Sequence, residues 1–313
     1  MGKEFIIKRY SEDDKDRWNN FNERCVQQHF FFNRNYMDYH KERFSDFSLI
    51  IEDKNKNILA LFPANLSDNK IYSHQGLTFG GLLYLPRTFV QKVIDILSSI
   101  EAFYTTFYIE KIIYKAIPHI YKVEQAEEDL YALFKNGWKL VRRDFSSLIV
   151  STKEWIPDRS RLKNNKIAIK NNIELKESTD LLSFWNLLSN NLQARHGVNP
   201  THTFEEMQLL SEYFSNNIKL IGAFSNNKML AGAVIFLTDH VMKIQYSVNS
   251  DKGRKIKALD ALFTELIKMN QTDFLDFGHS CESNGSYLNE GLARFKYNFN
   301  AEGLVFDTYE KSL

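Results

Sequence analysis

The chain has few cysteines, few prolines, almost no net charge and no long apolar run, and each shortage removes a class of protein. Two cysteines in 313 residues, Cys25 and Cys281, cannot build a disulfide framework. No CxxC or Cys/His cluster marks a structural zinc, so no metal is expected. The longest apolar stretch, Met229 to Leu237, has strand length rather than the roughly 18 residues of a membrane span. The opening MGKEFIIKRY lacks a secretory apolar segment, and Ile6 stands where myristoylation wants Ser or Thr. A cytoplasmic protein without a transmembrane segment is expected. A formal charge of +1 argues against a broad basic surface for nucleic acid. Five prolines and 25% charged residues exclude a disordered or fibrous chain.

What is present is an α/β pattern written twice. The first half opens with the alternating strand FIIKRYS and the helical DDKDRWNNFNERCV. The second opens with IELKES and TDLLSFWNLLSNNLQ, with Ser178, Thr179 or Asp180 as candidate helix cap. Two multi-strand blocks follow, SLIIEDKNKNILALFPANLSDNKIYSHQG and KLIGAFSNNKMLAGAVIFLTDHVMKIQYSVN. Each is followed by a helix, a strand, a short helix and a closing strand. Both closing helices carry Phe-Lys, at Phe134-Lys135 and Phe295-Lys296. The expected architecture is two tandem β-α-βββ-α-β-α-β units, each a mixed, mostly antiparallel sheet flanked by helices. The polar run Thr152–Asp158, with Pro157, sets the expected domains at 1–151 and 152–313.

That order of elements resembles the GNAT acyltransferase fold, and its duplication resembles the Fem-type peptidoglycan aminoacyltransferases. The segments FFFNRNYMDYHKERFSDFSLI, YSHQGLTFGGLL, KAIPHIY with EEDLYALF, RHGVNPTHT and DFGHSCESNGSYLNEGLARFKYNF are similar to a bacterial branch described as GNAT or BioF2-like acetyltransferases. The resemblance implies an acyltransferase using acetyl-CoA or another acyl-CoA, with an amino sugar or cell-envelope precursor as acceptor. It leaves two alternatives: an aminoacyl-tRNA donor, or a non-catalytic module that binds a glycan or precursor.

The resemblance also assigns residues. The donor pyrophosphate belongs at a helix N-terminus, where aligned dipoles favour anions. The corresponding segment is SVNSDKGRKIKALDALF, with Tyr246, Gly253 and Arg254 as donor contacts. The family fingerprint (Arg or Gln, two residues, Gly, one residue, Gly or Ala) is not matched from Arg254. Lys257 stands where Gly is expected and Leu259 where Gly or Ala is expected. A second source of positive charge is the run Arg159, Arg161, Lys163, Lys166 and Lys170, read as a solvated helix face or as a phosphate contact.

Acyl transfer needs a proton acceptor and a donor to the tetrahedral oxyanion. Asp276, His279 and Glu282, at the end of the strand FLDFG, are candidate bases; Asp276 also reads as a strand-end hydrogen bond to the loop. Lys296 of the Phe-Lys pair is the candidate electrophile, with Lys135 as its counterpart in a first domain expected to be inert. Acceptor contacts are expected from His40, Arg43, His74 and Gln75 in the first half and from Arg195 and His196 in the second. Arg195 and His196 also suit a helix C-terminus closed by Gly197. Neither GxxxxGK[ST], GxSxG nor HExxH occurs.

Overall fold

The computed structural model describes residues 5–313, excepting the side chain of His196. The chain forms two compact units. One comprises the chain up to Asp144 with 283–286 and 305–313; the other comprises 145–282 with 287–304.

In the first unit, β1 (Ile6–Arg9) and α1 (Lys15–Asn22) precede β2 (Leu49–Glu52), β3 (Ile58–Phe62), β4 (Asn65–Ser67) and β5 (Lys70–Tyr72). Then come α2 (Val90–Thr105), β6 (Lys111–Lys115) and α3 (Glu128–Lys135). β1, β2, β3 and Leu83–Tyr84 make one antiparallel sheet. β4, β5 and β6 lie in another, where β5 runs parallel to β6. Pro63 falls between β3 and β4 and divides what reads as one strand, because proline cannot donate to a ladder. Leu49, Ile51, Phe62, Ile96, Leu97 and Tyr114 are buried together in the core.

The strand β7 (Lys139–Val150) starts in the first unit and ends in the second. The second unit continues with α4 (Arg159–Lys170), β8 (Glu174–Ser178), α5 (Leu181–His196) and α6 (Phe204–Tyr213). Next are the antiparallel β9 (Ile218–Ser225), β10 (Lys228–Leu237) and β11 (Val241–Asn249). α7 (Ala258–Met269), β12 (Phe274–His279), α8 (Glu290–Tyr297) and β13 (Glu302–Ser312) complete the chain. Its core gathers Ile221, Ala233, Ile244, Leu262, Leu266 and Phe277. Asp180 caps α5 by accepting from the Ser183 N–H at 3.0 Å, and Gly197 ends it with φ of +65°.

The closing strands are exchanged. β6 pairs antiparallel with 308–312, from the end of the chain, and β12 pairs antiparallel with 146–150. The expected division after residue 151 cuts the chain once, whereas the compact units interleave. The reason is that a strand goes where its ladder is completed, and ladder partners are not encoded by position along the chain.

Candidate functional site

The chemistry-bearing residues of the second unit collect where two neighbouring strands part. β11 and β12 run parallel through Val241↔Phe274, Met242↔Leu275 and Lys243↔Asp276, and their pairing stops there. Both strands are distorted at this point. β11 shifts register against β10 across Gln245, and β12 shifts against β7 between Asp276 and His279. Gly278 supplies the turn in β12 with φ of +77°, a conformation that a Cβ would strain. The result is a wedge within the sheet, with Lys243 and Asp276 at its closed end.

Three buried charged groups fix that end: Lys243, Asp276 and Lys296. The Asp276 carboxylate accepts from Ser146 Oγ at 2.7 Å and from the Gly278 N–H at 2.8 Å. Lys296 Nζ donates to the Gly278 carbonyl at 2.6 Å, the His279 carbonyl at 2.8 Å and Ser280 Oγ at 2.9 Å. Burial pushes the Lys296 ammonium down to about 8, against the opposing pull of Asp276 and Cys281. Burial lowers Lys243 to about 8 as well, with Asp276 again opposing. Asp276 therefore serves as the strand-end anchor of the bulge. The three N–H groups of Lys296 are spent on the wall of the wedge, so in this arrangement its ammonium offers no donor to an oxyanion. The half-buried His279 lies on that same wall, and the exposed Glu282 accepts from Asn289 Nδ2 at 2.8 Å.

A cleft of about 460 Å³ opens beside the segment that follows β11. Its lining brings together Arg161, Arg195, Arg254 and Lys257, with Asp260 as their acidic neighbour and Phe295 of α8 as an apolar wall. Ser250 Oγ accepts from the Gly253 N–H at 3.0 Å. A Cβ on Gly253 would stand 2.6 Å from the Leu230 carbonyl oxygen, so this glycine answers a packing need rather than a ligand. Arg254 donates to the Asn249 carbonyl at 2.8 Å and ion-pairs with Asp251. Arg161 ion-pairs with Asp260, which also accepts from Asn164 Nδ2 at 2.9 Å. Lys257 sits at the N-cap of α7 with φ of +63° and provides no side-chain cap. Cations at the start of a 12-residue helix suit a phosphate-bearing ligand.

Tyr246 falls outside this lining. Its hydroxyl meets His202 Nδ1 at 2.6 Å and its ring packs edge-on against Trp185 at 5.3 Å, so it fastens β11 to α5. Arg195 does reach the cleft, while the side chain of His196 lies outside the described residues. A larger cleft of about 550 Å³ in the same unit has Glu177, Asp180 and Glu212 against Lys219, a balance unsuited to phosphate.

In the first unit the structure gathers His40, His74 and Gln75. The rings of Tyr39 and His40 stack at 4.1 Å, and those of His40 and His74 lie 5.4 Å apart. Both residues are buried, and among the described residues Nδ1 of His74 has no hydrogen-bond partner. Burial lowers His40 to about 4, helped by Arg43, and holds His74 well below 6.5, helped by His40, Lys115 and Arg34. His74 also adopts φ of +68°, an uncommon conformation for this residue. The exposed Gln75 exchanges two 2.7 Å hydrogen bonds with Asn65. Arg43 is exposed beside Tyr39.

Lys243 and Gln245 went unrecognised in the sequence. A lysine between Met242 and Ile244 on a buried strand breaks the apolar alternation and was the available signal. Gln245 has no such mark, because a bulge depends on the partner strand.

No family model matches the sequence, and no curated protein matches it either. Solved structures do resemble it. FemX superposes with a TM-score of 0.68 at 9% identity, over 98% of this chain and 97% of that one. L-PGS from Bacillus licheniformis gives 0.60 at 12% identity, over 97% and 92%. A tandem GNAT protein from the clavulanic acid biosynthesis pathway gives 0.52 at 8% identity, over 99% and 98%. At these identities the likeness concerns the fold, and with the doubled unit and the parted strands it leads to one conclusion: this chain has the Fem-like tandem GNAT-type fold.

Proposed function

We propose that this protein transfers an acyl or aminoacyl group to an amine, from a donor whose phosphates occupy the cleft at the N-terminus of α7. The observation that carries this reading is the coincidence of two features in one unit. The wedge between β11 and β12 exposes unpaired strand edges to an extended donor arm, and the cation-lined cleft is built on the segment leaving β11. An acyl-CoA is the donor that fits both, with its thioester in the wedge and its pyrophosphate near Arg254 and Lys257.

In the reaction the amine nitrogen bonds to the thioester carbonyl carbon, the C–S bond breaks with its electron pair leaving on the donor sulfur as a thiolate, and the amine loses a proton. His279 is the group best placed to receive it, since the Asp276 carboxylate is committed to Ser146 and Gly278. Lys296 is a positioning residue that fixes the wall carrying His279 through two carbonyls. The first unit is proposed to lack catalysis and to offer the exposed Arg43 and Gln75 to the acceptor, with His40 and His74 buried in the same unit. An amino sugar or cell-envelope precursor as acceptor rests on the sequence resemblance alone.

Lys257 and Leu259, bulky where the fingerprint is small, favour a second reading in which the donor is aminoacyl-tRNA. Side-by-side calorimetric titration with acetyl-CoA and charged tRNA separates the two. Binding of acetyl-CoA supports the first reading, binding of tRNA alone the second, and binding of neither leaves a non-catalytic module.

A further inference from the structure

The outer face of α4 carries a feature that neither the wedge nor the cleft uses. We propose that α4 docks the protein on an anionic membrane surface, lying in the interface with Leu162 and Ile169 toward the acyl chains and its lysines among the headgroups. The sequence of α4, RSRLKNNKIAIK, contains no acidic residue, and Asp158 precedes it as the cap. Its inner face is accounted for: Ala168 is buried, and Arg161 and Asn164 reach Asp260. The outer face is different. Leu162 is 49% exposed and Ile169 64%, and Ile156, just before the helix, is 63% exposed.

Arg159, Lys163, Lys166 and Lys170 are exposed beside them. At roughly 100° per residue these four cations, Leu162 and Ile169 share an arc of about 120°. Among the described residues no ion pair engages Lys163, Lys166 or Lys170. A whole-chain charge of +1 means that this concentration is local, not a reflection of a basic protein. A bilayer interface uses both halves of the face, because lysine stems extend past apolar neighbours to reach headgroup phosphates. An RNA backbone would use the cations and leave three aliphatic side chains in water, and α4 presents no aromatic ring for base stacking. Charge and apolar exposure together therefore favour the membrane. This inference is independent of the donor.

The test is co-sedimentation of the full chain with vesicles of phosphatidylcholine alone and with about one third phosphatidylglycerol. Binding is expected to the anionic vesicles only, and to weaken as salt is raised. The triple variant Lys163→Gln, Lys166→Gln, Lys170→Gln should lower the partition coefficient by roughly 100-fold. Leu162→Ser with Ile169→Ser should lower it by at least about tenfold. These side chains are exposed, and circular dichroism checks that the variants remain folded. No binding of the wild type to anionic vesicles overturns the proposal, as does undiminished binding of the triple variant. Binding of tRNA that the triple variant loses, without vesicle binding, assigns the face to RNA and overturns it too.

Discussion

The two closing helices, α3 and α8, carry the same Ala-X-Phe-Lys spacing and put it to opposite uses. In α3, Phe134 is 78% exposed and Lys135 is exposed with it. In α8, Lys296 is 4% exposed, and Phe295 packs on Phe263 and Phe299. The alanine is buried in both, at Ala132 and Ala293. The residue after it decides the rest. Leu133 turns its side of α3 into the core, whereas Arg294 keeps that side of α8 in water and leaves Lys296, three residues past the alanine, on the inner face. A shared dipeptide thus says little about shared chemistry; helix phase, set by one neighbouring side chain, says more.

The strongest test of that comparison is a matched pair of substitutions. Lys296→Met strips the donor from two carbonyls and Ser280 and removes a charge facing buried Asp276. It should cost on the order of 3 kcal/mol in urea unfolding. Lys135→Met should fall within about 0.5 kcal/mol of wild type. Equal losses would mean that the phase difference has no energetic consequence.

Each unit also holds a buried base, and the two make stability depend on pH in different windows. His40 titrates near 4 in the folded chain against about 6.5 unfolded, so the unfolded state binds the extra proton. The contribution of this neutral, buried ring is complete above pH 6.5 and is lost as pH falls from 6.5 toward 4, by roughly 3 kcal/mol. His40→Phe should flatten that part of the stability profile; an unchanged acid slope would assign it elsewhere. Lys243 works in the same direction in a higher pH window. Its folded value of about 8 lies below the usual 10.5, so stability should rise between pH 8 and 10.5, and Lys243→Met should reduce that rise.

Within the cleft, Arg254→Ala should weaken acyl-CoA binding by roughly tenfold or more, as for a lost charged hydrogen bond. Arg43→Ala in the first unit should leave donor affinity unchanged. The smallest effect is expected from Lys257→Gly. Releasing a left-handed residue should stabilise the fold by about 1 kcal/mol, while donor affinity drops several-fold with the lost cation. A gain in affinity would instead show that the lysine side chain obstructs the donor.

The order of elements was legible because periodicity is local. Strand alternation, the helix capped by Asp180 and stopped by Gly197, and the Asn226-Asn227 turn between β9 and β10 all stand where their own residues require. α6 was missed although its capping box, Thr203 with Glu206, is written in the sequence. The candidate donor segment was legible in part: Arg254 was named for the donor, Arg195 was named for the acceptor instead, and Arg161 was visible within a basic run. Tyr246 was misjudged because a tyrosine near a ligand loop reads the same as one that fastens a strand to a helix.

The sequence by itself determined the helices, the strands and the doubling, since each depends on neighbours within a turn or a strand. Only the tertiary structure decided where the closing strands pair, where β11 and β12 part, and which lysine is buried. Those outcomes depend on hydrogen-bond partners far away along the chain. Lys296 is drawn inward by acceptors at Gly278, His279 and Ser280, and no property of Phe-Lys itself specifies them.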